Sequence, residues 1–384
     1  MRIGIDARFI TRHPRRGIGN YSLNVVAALV RLFPETHFFL YISIPDSEGI
    51  LPQAPNVTVR RLNMPAYPLW EQIALPRAAA ADRLDVLHCL GNTAPVFMPK
   101  SVQLILSLMD VMFLQTGEFV PTPTNRYQAW GRHYRRLVAP RCARAAHDVV
   151  TISEFSRKDI LALIDGLDPA RVHVTHLSCD AIFQAGPAGG GAVPAPAAAG
   201  NPFIFALGAD DPRKNTLRLV EAYLGLVRDH GIAHDLVVSG YANWEQSAAY
   251  RAVLAAGQAD RVHFRGFISI EELASLYRQA DLFVYPSLYE GFGIPILEAF
   301  SSSCPVIASG TTSIPEVGGD AALYVDPLDV ADIASTVLRV LRDDALRLSL
   351  AQRGHARALE FTWDATARQS HAIYRRALPA GAVQ

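Results

Sequence analysis

Apolar and polar positions along the chain follow two rhythms by turns. Short runs that are apolar almost throughout recur at residues 2–7, 37–42, 57–62, 85–89, 102–108 and 148–152. They return at 203–207, 236–239, 262–264, 282–285, 306–308 and 322–325. Between these runs, apolar residues recur every three to four positions, the period of a helix with one buried face. Helices are expected over 20–33, 69–81, 125–145 and 154–164. More follow over 216–230, 244–256, 270–279, 295–302, 330–342, 344–360 and 363–377. Ser153 is placed to cap the helix that begins after it. Strands with no polar side, alternating with helices, predict parallel sheets covered on both faces.

The rhythm breaks at one place. AGPAGGGAVPAPAAAGNP, residues 185–202, has no charge, little bulk and much Gly and Pro, so it supplies neither a helix stripe nor a ladder. The expected organisation is a domain over 1–184, a linker over 185–201, a second domain over 202–360 and a closing segment, 361–384. A length of 384 residues suits two domains. In doubly wound sheets, ligands bind outside the carboxyl ends of the strands. The loops there, facing a cleft between the halves, are where chemistry is expected.

Composition refines this. Lys+Arg and Asp+Glu are 36 each, but residues 1–184 carry a net +5 and residues 185–384 a net −5. A zero sum argues against a general nucleic-acid binder. Cys89, Cys142, Cys179 and Cys304 lie far apart, which fits reduced buried thiols and not a zinc site. The first residues start a strand and not a secretory signal, and no run nears the ~20 apolar residues of a membrane span. A cytoplasmic protein is expected.

Three loops carry candidate chemistry. Arg15-Arg16-Gly17-Ile18-Gly19-Asn20-Tyr21 precedes the first helix, where Gly17 and Gly19 would let backbone N–H groups approach an anion. It is not a dinucleotide fingerprint, because Ser22 stands where the third glycine belongs. Gly208-Ala209-Asp210-Asp211-Pro212-Arg213-Lys214-Asn215 sets two cations before a helix, against its dipole, which points to a bound anion such as a diphosphate. Glu290-Gly291-Phe292-Gly293-Ile294-Pro295-Ile296-Leu297-Glu298 bends into a helix. Its two carboxylates, among apolar flanks, suit the hydroxyls of sugar and ribose.

Here the chain resembles a known family. Arg213-Lys214 followed by Glu290 and Glu298, with PRKN, ADLFVYPSLYEGFGIPILEAF and PVIASGTTSIPEVGGDAAL, is similar to the donor domain of retaining glycosyltransferases of family 4. The resemblance implies the GT-B fold, two Rossmann-like α/β domains about a central cleft, with the final helix crossing back to the first. It implies a nucleotide-sugar donor, a glycan or lipid-linked saccharide acceptor, and no cofactor or metal. On that reading Arg213 and Lys214 hold the diphosphate, Glu290 the sugar and Glu298 the ribose. Gly291, Phe292, Gly293 and Ile294 offer N–H groups to sugar and phosphate. Gly17 and Gly19 close over the diphosphate, and Phe267 and Ile268 form the base-side loop. The family often has His-Asp after a strand of its first domain, the His touching the sugar; this chain has Met109-Asp110. His88 and His133 are the substitutes considered, although a lone His is more often structural.

Arg126, Arg132, Arg135, Arg136, Arg141 and Arg144 fall in one stretch with no acid between them, interleaved with Tyr127, Trp130 and Tyr134. The bland reading is a solvated helix face. The sharper one is an acceptor surface at an anionic membrane. The expected activity is transfer of a hexose, by preference mannose from GDP-mannose, in polysaccharide or lipopolysaccharide assembly, as in the bacterial mannosyltransferases that SLYEGFGIPILEAF resembles. The alternatives are a UDP-sugar donor, a related epimerase or phosphorylase, and a non-catalytic two-lobed sugar-binding protein.

Overall fold

The computed structural model describes residues 1–12, 17–115, 126–184 and 201–378, with no side chains for 126–128. Two compact units divide it. The first takes the chain to Leu177 and takes it up again at Thr362; the second runs Ser178–Phe361.

In the first unit the order is β1 (Arg2–Asp6), α1 (Gly17–Leu32), β2 (His37–Ile42), β3 (Val57–Arg61), α2 (Tyr67–Leu69), a π-turn (Trp70–Ala74) and α3 (Leu75–Ala81). β4 (Val86–Cys89), β5 (Gln103–Ser107), α4 (Arg126–Ala145), β6 (Asp148–Thr151), α5 (Glu154–Leu163) and β7 (Val172–Val174) follow. The seven strands are parallel, in the order β3-β2-β1-β4-β5-β6-β7. Central strands are buried along nearly their whole length, as their apolar runs require, while edge strand β3 ends in exposed Arg60 and Arg61.

The second unit holds β8 (Phe203–Leu207), α6 (Thr216–His230), β9 (Asp235–Ser239), α7 (Ala248–Ala255), β10 (Val262–Phe264), α8 (Ile270–Gln279) and β11 (Leu282–Tyr285). It ends with α9 (Ile294–Ser301), β12 (Val306–Ser309), α10 (Ile314–Gly318), β13 (Leu323–Val325), α11 (Val330–Arg342) and α12 (Asp344–Ala358). Its sheet is parallel too, in the order β10-β9-β8-β11-β12-β13. Phe183, Phe205, Tyr277 and Phe283 form an aromatic knot in its core. Phe183 is why residues 178–184, counted with the first domain by the sequence pattern, pack with the second.

The last helix, α13 (Trp363–Ala377), returns to the first unit and lies on α1. Tyr374 reaches His88 at 2.7 Å, and His371 stacks on Phe33 with ring centres 3.6 Å apart. All four cysteines are buried and free. Among the described residues no helix is long and apolar enough to cross a membrane.

Several expectations are corrected. The first helix begins at Gly17 and not at residue 20, so Gly17 and Gly19 form its opening turn. Arg15 and Arg16 lie outside the described residues, as does nearly all of the expected linker, 185–200. The helix expected over 244–256 is a 3-10 turn, Trp244–Gln246, and then α7, because the Ser247 hydroxyl caps the Tyr250 amide at 3.0 Å and starts a new helix. β7 and α10 were not expected.

Candidate active site

In the second sheet the strand order reverses between β8 and β11, the place where ligands sit in such folds. The loops leaving these two strands carry Arg213, Lys214 and Glu290, and a main-chain bond joins them, the Leu288 N–H donating to the Arg213 carbonyl at 2.7 Å. Gly208 has to be glycine: a Cβ there would lie 2.6 Å from Val238. Asp211 shapes the next turn. Its carboxylate accepts the Arg213 amide at 3.0 Å and grips the Arg213 guanidinium at 2.9 and 2.5 Å. Asn215, buried at φ 57°, donates to the carbonyls of Pro286 and Pro327, tying the turn to the ends of β11 and β13.

Lys214, Tyr285 and Glu290 make a closed triangle. The ammonium donates to the Tyr285 hydroxyl and to Glu290 Oε1, both at 2.8 Å, and the hydroxyl donates to the same carboxylate oxygen at 2.7 Å. Burial pushes the Glu290 carboxyl up, but Lys214, with the bonds it and Tyr285 donate, wins and holds it below the ordinary range. Burial would likewise lower Lys214, yet Tyr285 and Glu290 keep it above its ordinary value. The cations before α6 thus have carboxylate partners within the protein, so the cost of opposing the helix dipole does not by itself require a bound anion.

Glu290 starts a bend pinned from the loop after β12. Its amide donates to Thr312 Oγ1 at 3.3 Å, and Ser313 Oγ donates to the carbonyls of Glu290 and Phe292 at 2.8 and 2.9 Å. Gly293 stands at φ 107° as the N-cap of α9, a conformation only glycine takes without strain. Gly291, Phe292 and Ile294 flank it, leaving first-turn N–H groups at the positive end of α9. Glu298 lies farther along α9 and accepts the Tyr277 hydroxyl at 3.0 Å. Burial raises its carboxyl to about 7, with Asp180 adding to the rise. The Lys214 charge acts on both Glu290 and Glu298. Phe267, 64% exposed, and half-buried Ile268 lie just beyond β10, beside the end of β9, where Gly266 accepts the Gly240 amide.

In the first unit the reversal falls between β1 and β4. Here the structure shows a cluster the sequence did not announce. Arg8 is buried, 2.9 Å from Asp6 and 2.6 Å from Glu71, with its guanidinium over the rings of Tyr67 and Trp70. Glu71, in the π-turn, also accepts from the hydroxyls of Tyr67, Thr93 and Tyr134 at 2.7–2.8 Å. Asp6 and Glu71 both stand inside apolar runs; a charge so placed was the available signal. Met109 is buried, its amide held by Asn92 Oδ1 at 2.7 Å, and Asp110 accepts the Met112 amide at 3.1 Å.

His88 is not a substitute sugar contact. It is fully buried between Tyr374 and Ser107, which use both ring nitrogens, and burial lowers its pKa to about 3. His133 is exposed on α4 with Arg135, Arg136, Arg141 and Arg144, while the side chain of Arg126 lies outside the described residues and Arg132 is half-buried. Trp130 stacks on Tyr134, which links α4 to Glu71. Among the described residues no three His, Cys, Asp or Glu side chains form a group able to hold a metal ion.

Comparison with known proteins agrees with this two-sheet fold. The family described as "Glycosyl transferases group 1" matches residues 194–357, and the "Glycosyl transferase 4-like domain" matches residues 16–178. The O-antigen chain mannosyltransferase B of Escherichia coli is 31% identical over 95% of this chain and 97% of its own. Among solved structures, sucrose-phosphate synthase from Thermosynechococcus elongatus aligns with a TM-score of 0.73 at 20% identity, covering 98% of each chain. WaaG, a glycosyltransferase involved in lipopolysaccharide biosynthesis, aligns with a TM-score of 0.68 at 13% identity, covering 97% of this chain and 99% of its own. With two Rossmann-like domains and the donor-domain motif at the strand reversal of the second, the chain belongs to the glycosyl transferase group 1 family and is a GT-B glycosyltransferase.

Proposed function

We propose that the protein is a retaining, metal-independent mannosyltransferase that moves mannose from GDP-mannose to a glycan or lipid-linked saccharide in cell-surface polysaccharide synthesis. The observation that carries the chemistry is the Lys214–Tyr285–Glu290 triangle at the β8/β11 reversal. The choice of mannose rests on the likeness to the Escherichia coli mannosyltransferase.

In this reading the donor diphosphate lies against Arg213 and Lys214. The bond from the sugar C1 to the diphosphate breaks, its electron pair leaves with the phosphate, and the two cations stabilise that charge. The acceptor oxygen bonds to C1 on the same face, and its proton passes to the departing phosphate oxygen. Glu290 accepts from sugar hydroxyls and Glu298 from the ribose. The N–H groups of Gly291–Ile294 and those opening α1 at Gly17 and Gly19 meet sugar and phosphate oxygens. Phe267 and Ile268 lie by the base, and Asp110 by the acceptor. The exposed face of α4, with Trp130 and Leu137 among Arg136, Arg141 and Arg144, is assigned to an anionic membrane surface at the cytoplasmic side.

The test is transfer from radiolabelled GDP-mannose, UDP-glucose and UDP-N-acetylglucosamine to a lipid extract. Transfer of mannose is expected, with the anomeric configuration kept, in the presence of EDTA. Lys214→Ala and Glu290→Ala should each lower turnover about 100-fold or more. No transfer or hydrolysis from any donor would refute the enzyme reading, and near-normal turnover in either variant would remove that residue from the mechanism.

A further inference from the structure

The connection from β4 to β5 crosses the first unit without an α-helix, and its turn reads Pro95-Val96-Phe97-Met98-Pro99-Lys100. Phe97 is 85% exposed, more than any other large apolar side chain among the described residues. Such a side chain alone needs no explanation. Beside it, however, opens a cleft of about 630 Å³ lined by apolar Val96, Met98 and Val102 and by Lys100, His147 and Arg171. No carboxylate lines it. On this edge Asp148 is 9% exposed and held between His147 at 2.8 Å and His173 at 2.6 Å, while Asp168, three residues before Arg171, is exposed outside the lining.

Position separates this cleft from the candidate active site. Gln103 opens β5, His147 precedes β6 and Arg171 precedes β7, so the cleft lies at the amino ends of the strands, while Asp6, Arg8 and Asp110 stand at the carboxyl ends. Ala145, the last residue of α4, also lines it, with Arg141 and Arg144 exposed in the turn before. An apolar projection with cations beside it and no acid in the cleft lining complements one kind of surface, a bilayer with anionic headgroups.

We propose that the Phe97 turn and its cleft are a contact site for anionic phospholipid. Phe97 enters the acyl boundary, Val96 and Met98 cover the upper chain, and Lys100 and Arg171 meet the phosphate. Pro95 and Pro99 restrict the turn, so little freedom is lost when Phe97 inserts. The proposal deepens the membrane part of the proposed function and rests on it; it does not depend on the transfer chemistry.

Full-length protein is sedimented with vesicles of phosphatidylglycerol and phosphatidylcholine, and with phosphatidylcholine alone. Binding is expected to the anionic vesicles and to fall with salt. Phe97→Ser should weaken it about tenfold or more, the loss of one inserted aromatic ring, and Lys100→Ala about fivefold. Phe97→Trp should show a blue-shifted emission, beyond that of the native tryptophans, and quenching by brominated lipid. Donor hydrolysis in solution should be unchanged in Phe97→Ser, which separates this test from that of the transferase. Equal vesicle binding by Phe97→Ser and the parent, or an unmoved emission in Phe97→Trp, overturns the proposal. So does self-association without vesicles that Phe97→Ser abolishes, which would make the face a protein interface.

Discussion

A carboxyl raised toward neutrality changes what it offers a ligand. Protonated, Glu298 can donate; ionised, it only accepts. On the proposed reading, in which ribose hydroxyls donate to Glu298, the donor favours the ionised form. Donor affinity, measured by calorimetry, is expected to rise between pH 6 and 8 as Glu298 ionises around 7, and Glu298→Gln should flatten that rise. The stability effect has the opposite sign. Between the ordinary value of 4.5 and about 7 the folded chain holds a proton that the unfolded chain has released, so this group makes the fold less stable as pH rises through that window. Urea unfolding of Glu298→Gln should lack this component. The sequence singled out Glu290 and Glu298 as charges among apolar flanks at a glycine bend, and Arg213 and Lys214 as cations set before a helix. Tyr285 was not, since it reads as the last apolar residue of a strand. Nor was the pairing of Arg8 with Glu71, which are 63 positions apart.

Between elements, the hydrogen bond from α13 to β4 is exposed to a clean test. His88 is neutral and uses one donor and one acceptor, on Tyr374 and Ser107. Tyr374→Phe leaves a buried ring nitrogen unpaired and should cost about 1–3 kcal/mol of stability, seen as a lower Tm. Burial depresses the His88 pKa from 6.5 to about 3, so stability is full above 6.5 and is lost as pH falls toward 3, when the unfolded chain takes up the proton first. A His88→Asn variant should show a shallower acid limb. Elements with long periodic patterns were readable: α6, α8, α11 and α13 fall where the pattern put them. The misses have physical causes. Glycine is a poor helix former, yet Gly19 is buried at the start of α1. β7, three residues long, is defined by its pairing with β6; β10, as short and of the same pattern, was expected.

For the whole molecule the measurable consequence is ligand linkage. At about 100 times its Kd, a ligand that binds only the folded state adds about 2.7 kcal/mol, a shift of several degrees in Tm. GDP-mannose should produce it with EDTA present, and UDP-glucose should produce less. Equal shifts would remove the donor preference. The zero net charge hid a basic first half, net +5, and an acidic second half, net −5. That division was countable from the sequence, whereas the position of Phe97 beside Lys100 and Arg171 needed the fold.

The return of α13 has a consequence for how the chain is made. The described residues of the second unit run from Ser178 to Phe361, so all of them have been synthesised before Trp363 appears. The first unit begins at Met1 yet is finished only by the last helix. A nascent chain halted short of Trp363 lacks the partners of Tyr21, Phe33 and His88. The unit translated first is therefore completed after the second, and its apolar seam along α1 stays open until Trp363–Ala377 has been made.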